Sequence, residues 1–307
     1  MFWNLFNFDP KPFNSGYLSV GDGHSLYFYE VGNPKGLPVL HFHGGPGGKS
    51  VSTKHAKLFD LKKYRIIMFK QRGAGLSQFA NLTYKNDTPH LIDDAKKLLD
   101  YLKIKTPVTL LGGSWGSTLA LLFAEKYPKL VNKLILSQIF LARSHDTNWL
   151  RTESFRFYPD LGAKMQKLAG KMDIVKHCHK LAFSPHKKDQ MQAMQYFGSY
   201  EYMLGTLAPK FEKIEFDANR LQALRVFLHY DIHNYFLKEN EILKNIKKIQ
   251  AIPSLIIHNR LDFCCPCDQA FALHQLLPAS KFYIVDDYGH SSPKQMKILK
   301  KLISDFA

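Results

Sequence analysis

Along the chain, apolar and polar positions fall into two rhythms. Residues 17–20 and 26–31 alternate with a period of two on either side of Gly21-Asp-Gly23, which predicts a β-hairpin. Val39–Phe42 and Arg65–Phe69 are short continuous apolar runs, the pattern of strands buried on both faces. From Thr88-Pro89 the period lengthens. Leu91, Ile92, Ala95, Leu98, Leu99 and Leu102 form one helical stripe, and the Thr-Pro pair marks the helix start. Val108–Leu111 then reads as a strand that breaks at Gly112-Gly-Ser-Trp-Gly116. A helix with Leu119, Leu122 and Phe123 inward follows, stopped by Pro128. Leu134–Leu136 is the next strand.

Residues 140–249 lose the strand rhythm. They are rich in Met, Gln, Lys, His and aromatic residues at helical spacing. The alternation then resumes with strand Ser254–His258, helix Cys267–Leu276, strand Phe282–Val285 and a terminal helix Lys294–Phe306. The expected architecture is α/β: a mainly parallel central sheet with helices on both faces, built from residues 1–139 and 250–307. An all-helical cap, 140–249, interrupts it.

Length and composition narrow the classes. A chain of 307 residues with 45% hydrophobic and 13% aromatic residues can bury a large core. No apolar run suits a membrane span, and Met1–Pro10 reads as a packed N-terminal arm and not as a leader. The charge is strongly basic, 42 − 26 = +16. The lysine runs at 244–248 and 294–301 sit in amphipathic patterns, and no nucleic-acid motif accompanies them, so solvated helix faces are expected. Four cysteines, three of them at 264, 265 and 267, do not make a disulfide framework, which suggests a reducing cytoplasmic setting. The Cys264–Cys267 spacing overlaps the acid loop and His177-Cys-His179 lies in the cap, so no zinc site is expected from them.

The strand–turn–helix around Ser114 is the context of a G-x-S-x-G nucleophile elbow. A serine exposed at such a corner needs neighbours almost without side chains, and the helix after it aims its positive end at the reacting centre. Serine also needs a base, and the base an orienting acid. In the α/β-hydrolase arrangement these follow in the order Ser, Asp or Glu, His. Asp262 and His290 each lie in a loop beyond the carboxyl end of a predicted strand, where the elbow also sits. Asp286 and Asp287 are competing carboxylates, expected to cap or solvate the His290 loop. Backbone N–H groups of Trp115 and Gly45 are the expected oxyanion donors.

His43-Gly-Gly-Pro-Gly-Gly48, Gln71-Arg-Gly-Ala-Gly-Leu-Ser77, the elbow through Leu121, Tyr17–Tyr27 and Asp262-Phe-Cys-Cys-Pro266 together resemble the proline iminopeptidase family of α/β-hydrolases. The resemblance covers nearly the whole chain, more loosely in the cap. It implies a cofactor-free cytoplasmic serine exopeptidase acting on peptides with a free N-terminal proline. In this resemblance Ser114, Asp262 and His290 are nucleophile, acid and base. Glu201, after Tyr200, matches a cap glutamate that binds the substrate amine. Phe140 matches an aromatic residue lining the proline pocket, and Cys265 a cysteine near it.

Two positions depart from the family. Lys70 stands where an Asp usually precedes Gln-Arg-Gly. Ile232 stands where a second amine-binding glutamate is usual; Asp231 is adjacent, but about 100° round a helix. Losing one of two carboxylates would weaken amine binding by roughly 1–3 kcal/mol. A broader esterase or amidase on the same scaffold, and a non-catalytic binding protein, therefore stand beside the peptidase reading. The intact Ser, Asp and His argue against the last of these.

Overall fold

The computed structural model describes residues 9–48, 52–208 and 213–306; the expected N-terminal arm lies largely outside them. The nine strands are β1 Asn14–Gly21, β2 His24–Gly32, β3 Leu37–Phe42, β4 Tyr64–Phe69, β5 Gln78–Phe79, β6 Val108–Ser114, β7 Val131–Ile139, β8 Ser254–Leu261 and β9 Ser280–Tyr288. They form one sheet in the order β1-β2-β4-β3-β6-β7-β8-β9, with the short β5 paired to β2. β1, β2 and β5 pair antiparallel, and everything from β4 to β9 along this path is parallel. Both faces of the parallel strands must then be covered, which explains their unbroken apolar runs.

After β3 the chain moves outward to β4, then crosses back to lay β6 on the other side of β3. The loops leaving the carboxyl ends of β3 and β6 therefore diverge to opposite sides of a crevice, the position where open α/β sheets take ligands. Phe42, the last residue of β3, pairs with Gly112, so β6 carries Ser114 two residues beyond the end of β3.

Helices α1 Thr88–Tyr101 and α2 Trp115–Lys126 cover one face. Their Leu91, Leu98, Leu119 and Phe123 pack with Phe42, Leu110 and Leu136. Asp87 caps α1 by accepting the backbone N–H of His90 at 3.0 Å, with Pro89 in the first turn. The other face is closed by the terminal helix, through Leu299 and Ile303, and by the turn carrying Ala56 and Leu58.

Between β7 and β8 the described residues form only helices: α3 Ser144–Arg151, α4 Pro159–Ala169, α5 Ile174–Ala182, α6 Lys187–Ala193, α7 Ser199–Thr206, α8 Ala218–Ile232 and α9 Glu241–Asn245, joined by short 3₁₀ and π turns. α4–α8 bury an apolar core of their own, including Met165, Met194, Phe197, Tyr200 and Leu228. The segment is not self-contained, because Val226, Tyr230, Tyr235, Ile242 and Ile246 belong to the core under α1 and α2. α10 Asp268–Leu276 and α11 Pro293–Phe306 complete the chain.

The last two strands run further than their apolar residues suggested. β8 continues through Arg260 and Leu261, and β9 through Asp286 to Tyr288. Asp286 and Asp287 are thus strand residues, although Asp287 caps the loop as expected, accepting the Tyr288 N–H at 3.0 Å and a hydrogen bond from Ser292. Exposed Asp286 pairs with Arg260 across the two strands at 2.7 Å, and that ladder carries the polar extension.

Candidate active site

The elbow is strained at Ser114, which adopts φ 57° and ψ −132°. A non-glycine residue in this region costs energy and persists only where its surroundings enforce it. The flanking glycines solve a different problem from the freedom of backbone expected of them. A Cβ on Gly116 would lie 2.1 Å from the Phe42 carbonyl oxygen, and one on Gly112 would lie 2.2 Å from that of Gly116. They are required by close packing of strand against helix. The first turn of α2 is then held by Ser117, whose hydroxyl donates to the Ser114 carbonyl at 2.7 Å.

Facing the elbow, the loop after β3 brings Gly44 closest. A Cβ there would sit 3.5 Å from that of Ser114. Gly45 follows with φ +122°, a conformation open to glycine, and its carbonyl leads into a cis bond to Pro46. Gln71 ties this loop to the elbow. Its side-chain amide donates to the His43 carbonyl at 2.9 Å, while its Oε1 accepts the Trp115 indole N–H at 3.1 Å. His43 Nε2 accepts the backbone N–H of Gln71, so its proton lies on Nδ1 and goes to the Gly44 carbonyl. Burial first, and then Lys70, hold this imidazole neutral, its pKa lowered to about 3. The neighbouring Arg72 is fully buried in a bidentate pair with Asp94 of α1, at 2.7 and 2.9 Å. Lys70 itself is 4% exposed, and burial lowers it to about 8, so the charge reversal expected there is only partly realised at alkaline pH.

Asp262 follows β8 directly, at a register irregularity between Asn259 and Leu261. Its Oδ1 accepts the backbone N–H groups of Cys264 and Cys265, both at 2.9 Å. Its Oδ2 lies 2.8 Å from His290 Nδ1 and 3.3 Å from His258 Nε2. Burial opposes this charge, but His290 and His258 outweigh it and hold the carboxyl well below the usual range. Reciprocally, desolvation opposes a charge on His290, whereas Asp262 raises its pKa. The His290 backbone N–H donates to the Gly205 carbonyl of α7 at 2.8 Å, and Asn259 donates to the Gly289 carbonyl at 2.9 Å. Sheet and helical segment together place the imidazole.

One turn before Gly205 on α7 stands Glu201. Burial pushes its carboxyl up to about 7, with His290 acting in the opposite sense. It lines a cavity of about 530 Å³ walled by Gly45–Gly48 on the sheet side and by Met203, Leu224 and Phe227 on the helical side. Asp231 is paired to Arg151: its Oδ1 accepts Arg151 Nε at 3.1 Å and Nη2 at 2.9 Å. The 100° offset on α8 turns it to that guanidinium. Phe140 is buried, its ring edge-on to Tyr235 at 4.9 Å, with Tyr235 also against Trp115. Cys265 is 2% exposed and shares a hydrogen bond with Cys264.

A sequence profile of the alpha/beta hydrolase fold matches residues 38–294. Proteins named proline iminopeptidase match at length: one from Arabidopsis thaliana is 36% identical over 92% of this chain and 76% of its own. Another, from Xylella fastidiosa strain Temecula1, is 36% identical over 92% of both. The chain belongs to the proline iminopeptidase family of α/β-hydrolases. Among solved structures, a carboxylesterase from Nitrososphaera gargenis superposes with a TM-score of 0.65 at 16% identity, covering 95% of this chain and 98% of that one, a likeness of fold alone.

Within this family frame, three positioning residues were not legible beforehand. His258 was read as a strand end, yet its Nδ1 accepts the Ile139 N–H and its Nε2 donates to the Cys265 carbonyl, clamping the acid loop. A histidine closing a run of apolar strand residues was the available signal. Gly44 was hidden within a run of glycines. Arg151 offered no signal, because its partner lies 80 residues away.

Proposed function

We propose that this protein is a serine exopeptidase that releases N-terminal proline from peptides through an acyl-enzyme. What carries the reading is the station of His290: oriented by Asp262 on one side and hung from the helix bearing Glu201 on the other. Ser114 Oγ attacks the carbonyl of the N-terminal residue while His290 Nε2 takes its proton. Asp262 keeps the proton of Nδ1 in place and stabilises the imidazolium. Backbone N–H groups of Gly45 and Trp115 hold the oxyanion, and His290 then protonates the departing amine. Water enters by the same base to free Ser114. Glu201 takes the substrate ammonium, an ion pair made strong by desolvation, while Phe140 and Cys265 shape the far wall for the apolar ring.

Residues 140–249 act as a cap over a core of 1–139 and 250–307. Among the described residues no helix is long and apolar enough to cross a membrane, and all four cysteines are free. We place the protein in the cytoplasm on that ground. A broader esterase or amidase is favoured by one observation, the engagement of Asp231 by Arg151, which leaves Glu201 as the amine's only designated partner.

The deciding experiment compares kcat/KM on a free-amine prolyl arylamide, its N-blocked form and a short acyl ester, with Ser114→Ala and Glu201→Ala. Turnover confined to the free-amine substrate and lost in both variants supports the peptidase. Equal turnover of blocked and ester substrates, indifferent to Glu201→Ala, would replace it with a general hydrolase.

A further inference from the structure

Beside the base lies a ligand set that the proposed hydrolysis does not use. Cys264 Sγ, Cys265 Sγ and an imidazole nitrogen of His290 lie within 4.8 Å of one another. Cys264 and His290 are partly exposed, so solvent reaches the group, while Cys265 closes its inner side. Asp262 sits behind His290 as a hydrogen-bonded carboxylate, the second-shell arrangement that orients metal-binding imidazoles. Asp262 and Glu201 both act electrostatically on Cys264, so a cation entering here meets negative charge in a chain that is otherwise strongly basic.

Two sulfurs and one nitrogen are a donor set for soft or borderline divalent ions such as Zn²⁺ and Cd²⁺, and not for Mg²⁺ or Ca²⁺. We infer that Cys264, Cys265 and His290 form a binding site for a thiophilic divalent metal ion that switches the enzyme off. Binding is M²⁺ plus two thiols and a neutral imidazole, giving a neutral bis-thiolate–imidazole complex and two released protons. The fourth position is left to water. Coordination through Nε2 consumes the lone pair that would take the Ser114 proton; coordination through Nδ1 breaks the pair with Asp262. Either way the general base is lost. The same negative surroundings are those proposed for the substrate ammonium, so metal and free-amine substrate exclude each other.

Only the inhibition depends on the proposed hydrolytic role of His290; the metal complex does not. The test is a Cd²⁺ titration of the reduced, metal-free protein, followed by the ultraviolet thiolate-to-cadmium charge-transfer band and, in parallel, by arylamide or ester hydrolysis. The expected result is a band that saturates at one equivalent, with activity lost in step and restored by EDTA. Cys264→Ser, with Cys264→Val as a second variant should the first not fold, retains activity without metal. Its Cd²⁺ affinity falls by more than the ten- to hundredfold that loss of an outer-shell partner costs. Cys267→Ser changes neither. Absence of the band, or equal binding by wild type and both Cys264 variants, overturns the site; the latter would place the ion on thiolates other than Cys264. A normal band without inhibition would keep the metal site and remove its effect on the base.

Discussion

Two carboxylates, buried Asp262 on the sheet's carboxyl edge and half-buried Glu201 on the helical segment, stand within electrostatic reach of His290, and their surroundings push them apart. Asp262 receives two backbone N–H groups and two imidazoles, and stays ionised. No hydrogen-bond donor reaches the carboxylate of Glu201 among the described residues, and burial raises it to about 7. Residue type does not divide their labour; donors do. A carboxylate satisfied by the fold serves as a permanent charge beside the base. One left desolvated gains most from a cation brought from outside, the property needed by the ammonium partner proposed above.

The sharpest way to break this contrast is to remove the groups that Asp262 serves. Ser114→Ala should reduce kcat by about 10⁴- to 10⁶-fold in single-turnover and steady-state assays, with KM little changed. Asp262→Asn should cost about 10⁴-fold, because an amide cannot hold the Nδ1 proton in place. Loss of less than tenfold would mean that His258 and the loop orient His290 without the carboxylate.

Glu201→Gln should lower kcat/KM for a free-amine substrate by roughly 10- to 100-fold, the value of one charged hydrogen bond, and leave a blocked substrate nearly unchanged. The pH profile separates the two acids further. Glu201 must be ionised to bind the ammonium and His290 neutral to accept a proton, and both pKa values are raised. The rising limb of kcat/KM should therefore lie on the alkaline side of an ordinary imidazole. Glu201→Gln should remove the lower of its two ionisations, and an unshifted limb near pH 6.5 would contradict the raised His290. Smallest in its effect on turnover is the pair outside catalysis. Arg151→Leu strands Asp231 in the interior and should lower unfolding stability by about 3 kcal/mol in urea, with Asp231→Leu restoring much of it.

The sequence was most readable where backbone geometry dictated residue type. Gly112 and Gly116 of the elbow, and Gly45, Gly47 and Gly48 of the β3 loop, had to be glycines because a Cβ on any of them would clash with a neighbouring atom. Asp262 and His290 could be placed because strands and helices alternate around them, although both strands run on through polar residues that pattern alone ends too early. What stayed hidden depends on pairs distant in sequence. Arg151 meets Asp231 across α3 and α8, and Gln71 meets Trp115 across two strands. Periodicity reports which face of an element is buried, and carries nothing about which polar groups meet there.

The bond from the His290 N–H to Gly205 has a mechanical consequence. Gly205 is one helical turn beyond Glu201, so the proposed amine partner and the proposed base hang from a single rod. Any displacement of that rod would draw the base loop with it.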